Sequence, residues 1–373
     1  MEECSLSEKL STAKNLKEKM DLLEKSAEID RDSGSSPLNS QGRLSKVIQR
    51  LKEEYKFSKP DYKIDSTKFE KLSLDAKERV LYDNLCNAVI EDGAIRGVDM
   101  TFCGNDGWTP IILRRCYFDL FEVILNSLHI PAGNHWSLIL GSSGIGKSWF
   151  LVFCLYVLIK ADVPVFFKLQ DYSALVYKGE VYIPLANSEL FDSSNMWFLY
   201  DRDEPPRDIS TTNVCIMVTK VKRAVYKKYK ETSSFPPLFM PTWDFEELEL
   251  KNSFLPVGKR LTEDQLEEHE THCGGIPRNV FTNYYTITKL YKDALNTVTM
   301  KHVNVYTRED DMGGWTDTNW EDFEGLPERI FGLQVEENYF RAVNVQHNRS
   351  MCYDVATVLM SRQSLNMFLG TKF

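Results

Sequence analysis

Several things are scarce in this chain, and each scarcity excludes something. None of the eight cysteines (Cys4, Cys86, Cys103, Cys116, Cys154, Cys215, Cys273, Cys352) stands in a C-x-x-C pair. That argues against a disulfide framework or a zinc ribbon and for isolated buried thiols in a reducing compartment. No signal-peptide-like apolar segment follows the acidic start Met-Glu-Glu-Cys-Ser, and the longest apolar run, Trp149–Ile159, is too short to span a bilayer. A soluble, intracellular protein without a membrane partner is the expectation. Basic excess is missing too: the net charge is −9, so any nucleic-acid contact has to be local. There is no internal repeat and no low-complexity tract.

What is present centres on residues 136–150. Gly141-Ser142-Ser143-Gly144-Ile145-Gly146-Lys147-Ser148 fits G-x-x-x-x-G-K-[ST] at every position. An apolar strand (Trp136–Leu140) precedes it and an apolar helix (Trp149–Ile159) follows, the context a phosphate-binding loop requires. Glycines let successive N–H groups turn inward on phosphate oxygens, and the helix N-terminus favours the anion. In this pattern Lys147 reaches the outer phosphates and the Ser148 hydroxyl binds Mg²⁺. ATP and Mg²⁺ are the expected ligands. Guanine specificity is not expected, because Thr219-Lys220-Val221-Lys222 carries no aspartate to read the base edge.

The chemistry needs a second acid near the metal. Met196–Tyr200 reads as an apolar strand ending in Asp201, the second Mg²⁺ candidate. Arg202 stands where a water-orienting glutamate is usual, so Asp203 or Glu204 becomes the candidate for that role. Val214–Val218 is a further apolar strand ending at Thr219, a candidate γ-phosphate sensor. His269-x-x-His272-Cys273 has metal-like spacing but no partner pair, and reads better as surface and boundary residues of a helix that ends at Gly274-Gly275. Lys220–Lys230 holds six basic residues and no acid; a nuclear-import or nucleic-acid patch and a solvated helix face both fit it.

Periodicity organises the rest. Residues 5–30 form an amphipathic helix, either a short coiled coil or a helix packed on its own domain, followed by a polar linker near 30–41 and a helix over Gly42–Lys56. Residues 1–60 then read as a helical arm and 61–130 as a mixed lead-in, with helix around 74–92 and a strand-to-helix segment over Ile111–Leu128. Val163–Leu169 is a strand and Ala174–Pro184 a hairpin turning near Lys178-Gly179. With Phe239–Pro241 as a last short strand, residues 131–243 make an α/β phosphate-loop core: a parallel sheet with helices on both faces. Helices over Asp244–Leu250, Thr262–His272 and Val280–Leu295 make a helical lid (244–300). A small α+β tail (301–373) carries a strand near Ile330–Glu336 and a helix near Ser350–Ser361.

These segments resemble the phosphate-loop ATPase module of the Crinkler and retrotransposon hot spot (RHS) families over residues 111–360. The resemblance lies in Leu113-Arg114-Arg115-Cys116-Tyr117, the loop Gly141–Ser148, Phe198-Leu-Tyr-Asp201, Met240-Pro-Thr-Trp243 with Glu246-Glu247-Leu248, Gly274-Gly275-Ile-Pro277-Arg278, Arg329-Ile-Phe and Tyr353-Asp-Val. It implies an ATPase related to STAND and AAA-type switches, with Arg278 as a second sensor placing its guanidinium on the γ-phosphate. Many members join this module to a nuclease-like or kinase-like effector domain and act in a nucleus. This chain shows neither the families' secretion header nor a nuclease acid/lysine cluster, so those activities are not carried over. The resulting expectation is an ATP-hydrolysing switch acting on a protein or nucleic-acid partner, with self-association through the N-terminal helices. A small-molecule kinase and a nucleotide-binding scaffold without turnover are the alternatives. Of the kinase signals, the arginine-rich lid is missing, since residues 244–275 contain only Arg260.

Overall fold

A computed structural model describes residues 40–56, 69–99, 110–128, 135–185, 196–201, 213–219, 225, 228–229, 231, 233, 235–282, 286, 289, 293, 331–335 and 342–346. The expected N-terminal helix over 5–30, the Thr307–Phe323 loop and the helix near 350–361 lie outside them, as does most of the Lys220–Lys230 basic run. Contacts divide the chain into two compact units. The first holds everything up to Ile139, then Lys147–Thr219 and Ala224–Leu238; the second holds Leu140–Gly146, Lys220–Arg223 and Phe239 onward.

The first unit is mixed α/β. Its strands β1 (Phe69–Lys71), β5 (His135–Leu140), β6 (Val165–Leu169), β7 (Tyr172–Tyr177), β8 (Glu180–Pro184), β9 (Trp197–Asp201) and β10 (Val214–Thr219) share a sheet in the order β1-β8-β7-β6-β9-β10-β5. The short β11 (Leu238–Phe239) follows β5 and completes eight strands. The pairs β6–β9 and β9–β10 are parallel, with Phe167 opposite Leu199 and Leu199 opposite Ile216. These runs are apolar on both faces and buried along most of their length, as parallel strands under helices must be.

The sheet is not parallel throughout, which corrects the expectation. β6–β7, β7–β8 and β8–β1 are antiparallel. Only Gln170 and Asp171 separate β6 from β7, and two residues can close a hairpin but not a crossover. The hairpin over β7 and β8 turns at Lys178-Gly179 as read, with φ of 47° and 77°, the left-handed pair of a type I′ turn.

Helix α4 (Lys147–Lys160) packs on β6, β9 and β10. It has no polar face, and Trp149 through Leu158 are all buried. Three further helices pack around it: α1 (Ser40–Lys56), α2 (Lys77–Asn87) and α3 (Arg115–Ser127). Phe153 sits at their centre, its ring 5.2 Å from Phe118, 5.8 Å from Tyr117 and 6.2 Å from Phe121. α1 buries Leu44, Val47 and Leu51, the expected helical stripe. It is pinned to α3 by Arg43, 2.6 Å from Asp119 and stacked over Phe118, and by Arg50 donating to Asn126. Residues 40–56 thus belong to the core of the first unit.

A second correction concerns residues 74–92. Helix α2 stops at Asn87, and Val89–Glu91 forms strand β2, hairpinned to β3 (Ala94–Arg96) across Asp92-Gly93. β3 pairs with β4 (Ile111–Ile112) in a separate three-stranded sheet. Asp-Gly flanked by Val-Ile and Ala-Ile is a hairpin signal, and it outweighs helical periodicity there.

The second unit carries α5 (Phe245–Ser253), a 3₁₀ turn (Val257–Lys259), α6 (Glu263–Cys273), the short α7 (Pro277–Val280) and the hairpin β12 (Phe331–Val335) with β13 (Ala342–Gln346). α5 and α6 both begin with capping boxes: Asp244 with Glu247, and Thr262 with Gln265. α6 ends at Gly274 in the left-handed conformation. The expected helix from Val280 starts later: α7 closes at Phe281, and residues 286, 289 and 293, the described ones in 283–295, are helical.

Candidate functional site

Strand β5 delivers the chain into Gly141–Gly146, and α4 begins at Lys147. Gly144 and Gly146 have φ of 87° and 99°, in the left-handed region. Gly144 needs its missing side chain twice over: the conformation disfavours a Cβ, and one built there would lie 2.7 Å from Arg278 Cβ. A Cβ on Gly141 would meet Ile145 Cδ1 and the Met240 carbonyl, at 2.5 and 3.1 Å. The loop is therefore packed tightly from behind. Ile145 is fully buried, Ser142 is buried, and Ser143, Gly144, Gly146, Lys147 and Ser148 remain partly open to solvent.

Three elements of the second unit hold the loop. The Met240 N–H donates to the Leu140 carbonyl at 2.8 Å, at the mouth of β5. The Trp243 indole N–H donates to the Ile145 carbonyl at 2.7 Å. From α7, Arg278 Nη1 donates to Ser143 Oγ at 3.2 Å. Pro277 at the first position of α7 needs no N–H there, and the following Arg278 is exposed. The structure so brings Arg278, Ser143 and Gly144 together, although 135 residues separate the arginine from the serine.

In the first unit the acidic and polar strand ends line up. Asp201 ends β9, half-buried, level with Leu169 on β6 and Val218 on β10. Thr219, one residue beyond Val218, is buried at the same end of β10. The sheet order sets β10 between β5 and β9, so one strand separates the loop's strand from that of Asp201. Lys147 and Ser148 open α4. Asp203 and Glu204 lie outside the described residues.

Other expectations find their place here. His269 is not a surface residue: it is buried, and its Nδ1 lies 2.7 Å from the Val280 carbonyl. α7 folds back on α6 and covers that side. Among the described residues, no three His, Cys, Asp or Glu side chains gather as a metal cluster, and no helix is long and apolar enough to cross a membrane. Cys116, Cys154, Cys215 and Cys273 are buried thiols, and burial pushes those of Cys154 and Cys215 well up from their ordinary range.

Three features escaped the sequence reading. Lys251 on α5 is buried, near the Phe281 ring, and desolvation lowers its ammonium to about 8. Arg114, just before α3, is buried to 2% exposure beside Tyr117. Trp243 bonds to the loop. Lys251 lies in an ordinary charged stretch with no local mark of burial; Arg114 stands among apolar residues beside an exposed Arg115, and nothing local tells the two apart. Trp243 was visible as a bulky residue directly before a capping box.

No family model, curated protein or solved structure matches the chain, so the site stands on its own residues.

Proposed function

We propose that the chain binds ATP with Mg²⁺ at Gly141–Ser148 and hydrolyses it as a nucleotide-dependent switch. The observation that carries this reading is the loop itself. It leaves a buried strand, passes through two left-handed glycines and enters a helix whose first residues are Lys147 and Ser148. In such a turn the amide dipoles of the loop and the helix N-terminus favour a phosphate.

The donor set suits the metal. Mg²⁺ bound with a nucleotide keeps most of its waters and takes one or two protein oxygens; the Ser148 hydroxyl and the Asp201 carboxylate are of that kind. Bound there, the ion supplies neutralisation of charge between the outer phosphates. Lys147 holds the phosphates as a point charge, and Arg278, fixed in charge and planar, stabilises negative charge at the loop. Thr219 is the polar strand end that reports the terminal phosphate, and Asp203 or Glu204 the base for water. The lid helices convert nucleotide state into a shape read by a protein or nucleic-acid partner. Membership of the Crinkler/RHS type is part of the same proposal.

The test is Lys147→Ala, made in the full chain. Nucleotide affinity by calorimetry should fall at least a hundredfold, and phosphate release should be lost, with the melting temperature unchanged. An alanine variant that binds ATP as the parent does overturns the reading.

A further inference from the structure

Arg278 is not alone in joining the loop to its turn. Trp243 makes a second link. It is buried to 3% exposure between the Met240 bond to β5 and the Asp244 capping box of α5, so its backbone is fixed from both sides. Its indole N–H holds the Ile145 carbonyl, and its backbone N–H donates to the Gly275 carbonyl at 2.8 Å. Gly275, with φ of 68°, lies so close that a Cβ there would come within 2.2 Å of the Trp243 carbonyl. Three residues on, Arg278 returns to Ser143. The contacts form a closed circuit: Ser143, Ile145, Trp243, Gly275, Arg278 and back to Ser143.

The bond to Ile145 has a geometric consequence. In a trans peptide, C=O and N–H point in opposite directions. Holding the Ile145 oxygen against the indole therefore aims the Gly146 N–H away from Trp243. Gly146 is the residue whose amide, in a phosphate loop, belongs to the anion cradle. A left-handed glycine can flip that peptide at little cost, so an external hydrogen bond is what selects one orientation.

Resting on the nucleotide-binding reading, we propose that Trp243 is the positioning residue of the phosphate cradle. Its indole sets the Ile145–Gly146 peptide, and its backbone bond to Gly275 ties that setting to the turn that carries Arg278. Phosphate entering the loop is thereby felt at Trp243 and passed to the α6–α7 turn.

The full chain labelled with ¹³C and ¹⁵N tests this, the Trp243 indole signal being assigned on the wild type by triple-resonance experiments. Adding Mg·ADP should shift that signal in the wild type and leave it in place in Lys147→Ala. The phenylalanine keeps the ring and drops the donor. Its dissociation constants for Mg·ADP and for inorganic pyrophosphate should each rise about tenfold, the size expected of one buried hydrogen bond. A loss with Mg·ADP alone would place the effect at the base and overturn the proposal. So would an unmoved Trp243 signal in wild-type protein saturated with nucleotide, a measurement that does not require the variant to fold. A wild type that binds neither ligand overturns the nucleotide reading itself, and this inference falls with it.

Discussion

The seven residues Leu140–Gly146 and the helix that begins one residue later are continuous in the chain yet held by different means. α4 is held by volume: ten consecutive buried residues, ringed by aromatic side chains from α3 and strands below. The loop packs its buried Ile145 from behind but is also held by direction, by hydrogen bonds from Met240, Trp243 and Arg278, each with one acceptor. Packing by volume tolerates no loss of bulk but is indifferent to polarity elsewhere. Packing by direction can lose one atom and change its shape while the fold stands. Damage to α4 should therefore register as stability, and damage around the loop as ligand affinity.

Three substitutions sharpen or break this contrast. Phe153→Ala, which empties the space among Tyr117, Phe118, Phe121 and Phe150, should cost about 3–5 kcal/mol in urea unfolding. A loss below about 1 kcal/mol would show that α4 is not held by volume. Helix α5 sits between the extremes, and Lys251 measures how far. Its folded-state pKa is about 8 against 10.5 when free, so above pH 8 the unfolded chain binds more protons than the folded one. Stability should rise from pH 8 towards 10.5, by an amount on the order of 1–3 kcal/mol. Lys251→Met should flatten that rise and raise the melting temperature at pH 7, which a pH series of thermal melts on both proteins will show. Smallest is Asp244→Ala, which removes the cap of α5. About 1 kcal/mol of stability should go, visible as a small drop in melting temperature.

Much of the fold was legible because its signals are local. β5, β9 and β10 are apolar runs ending in Gly, Asp and Thr-Lys, and Lys178-Gly179 between alternating residues spells a hairpin. Asp92-Gly93 carries the same signal, and the helix that buries Leu81 and Leu85 stops before it, at Asn87. Strand order has no local mark: that β10 lies between β5 and β9, or that β7, β8 and β1 extend the sheet antiparallel, depends on pairing between distant segments. At the site, the loop is written contiguously and so could be read. Arg278 entered as a site candidate through a family resemblance, but its meeting with Ser143 and the Trp243–Ile145 bond, across 98 residues, have no mark in the sequence. His269 was misplaced because α7, which covers it, is only four residues long and leaves no periodic trace.

The all-round burial of α4 also separates two clocks. A helix with no wet face has no partial way to open, so its amides meet solvent only when the whole unit unfolds. The loop ahead of it is partly open to solvent at Ser143, Gly144 and Gly146 and can open locally. Isotope exchange along Gly141–Leu158 thus passes, within a few residues, from the rate of a local fluctuation to the rate of global unfolding, and the slow stretch is a built-in standard against which every motion of the loop can be timed.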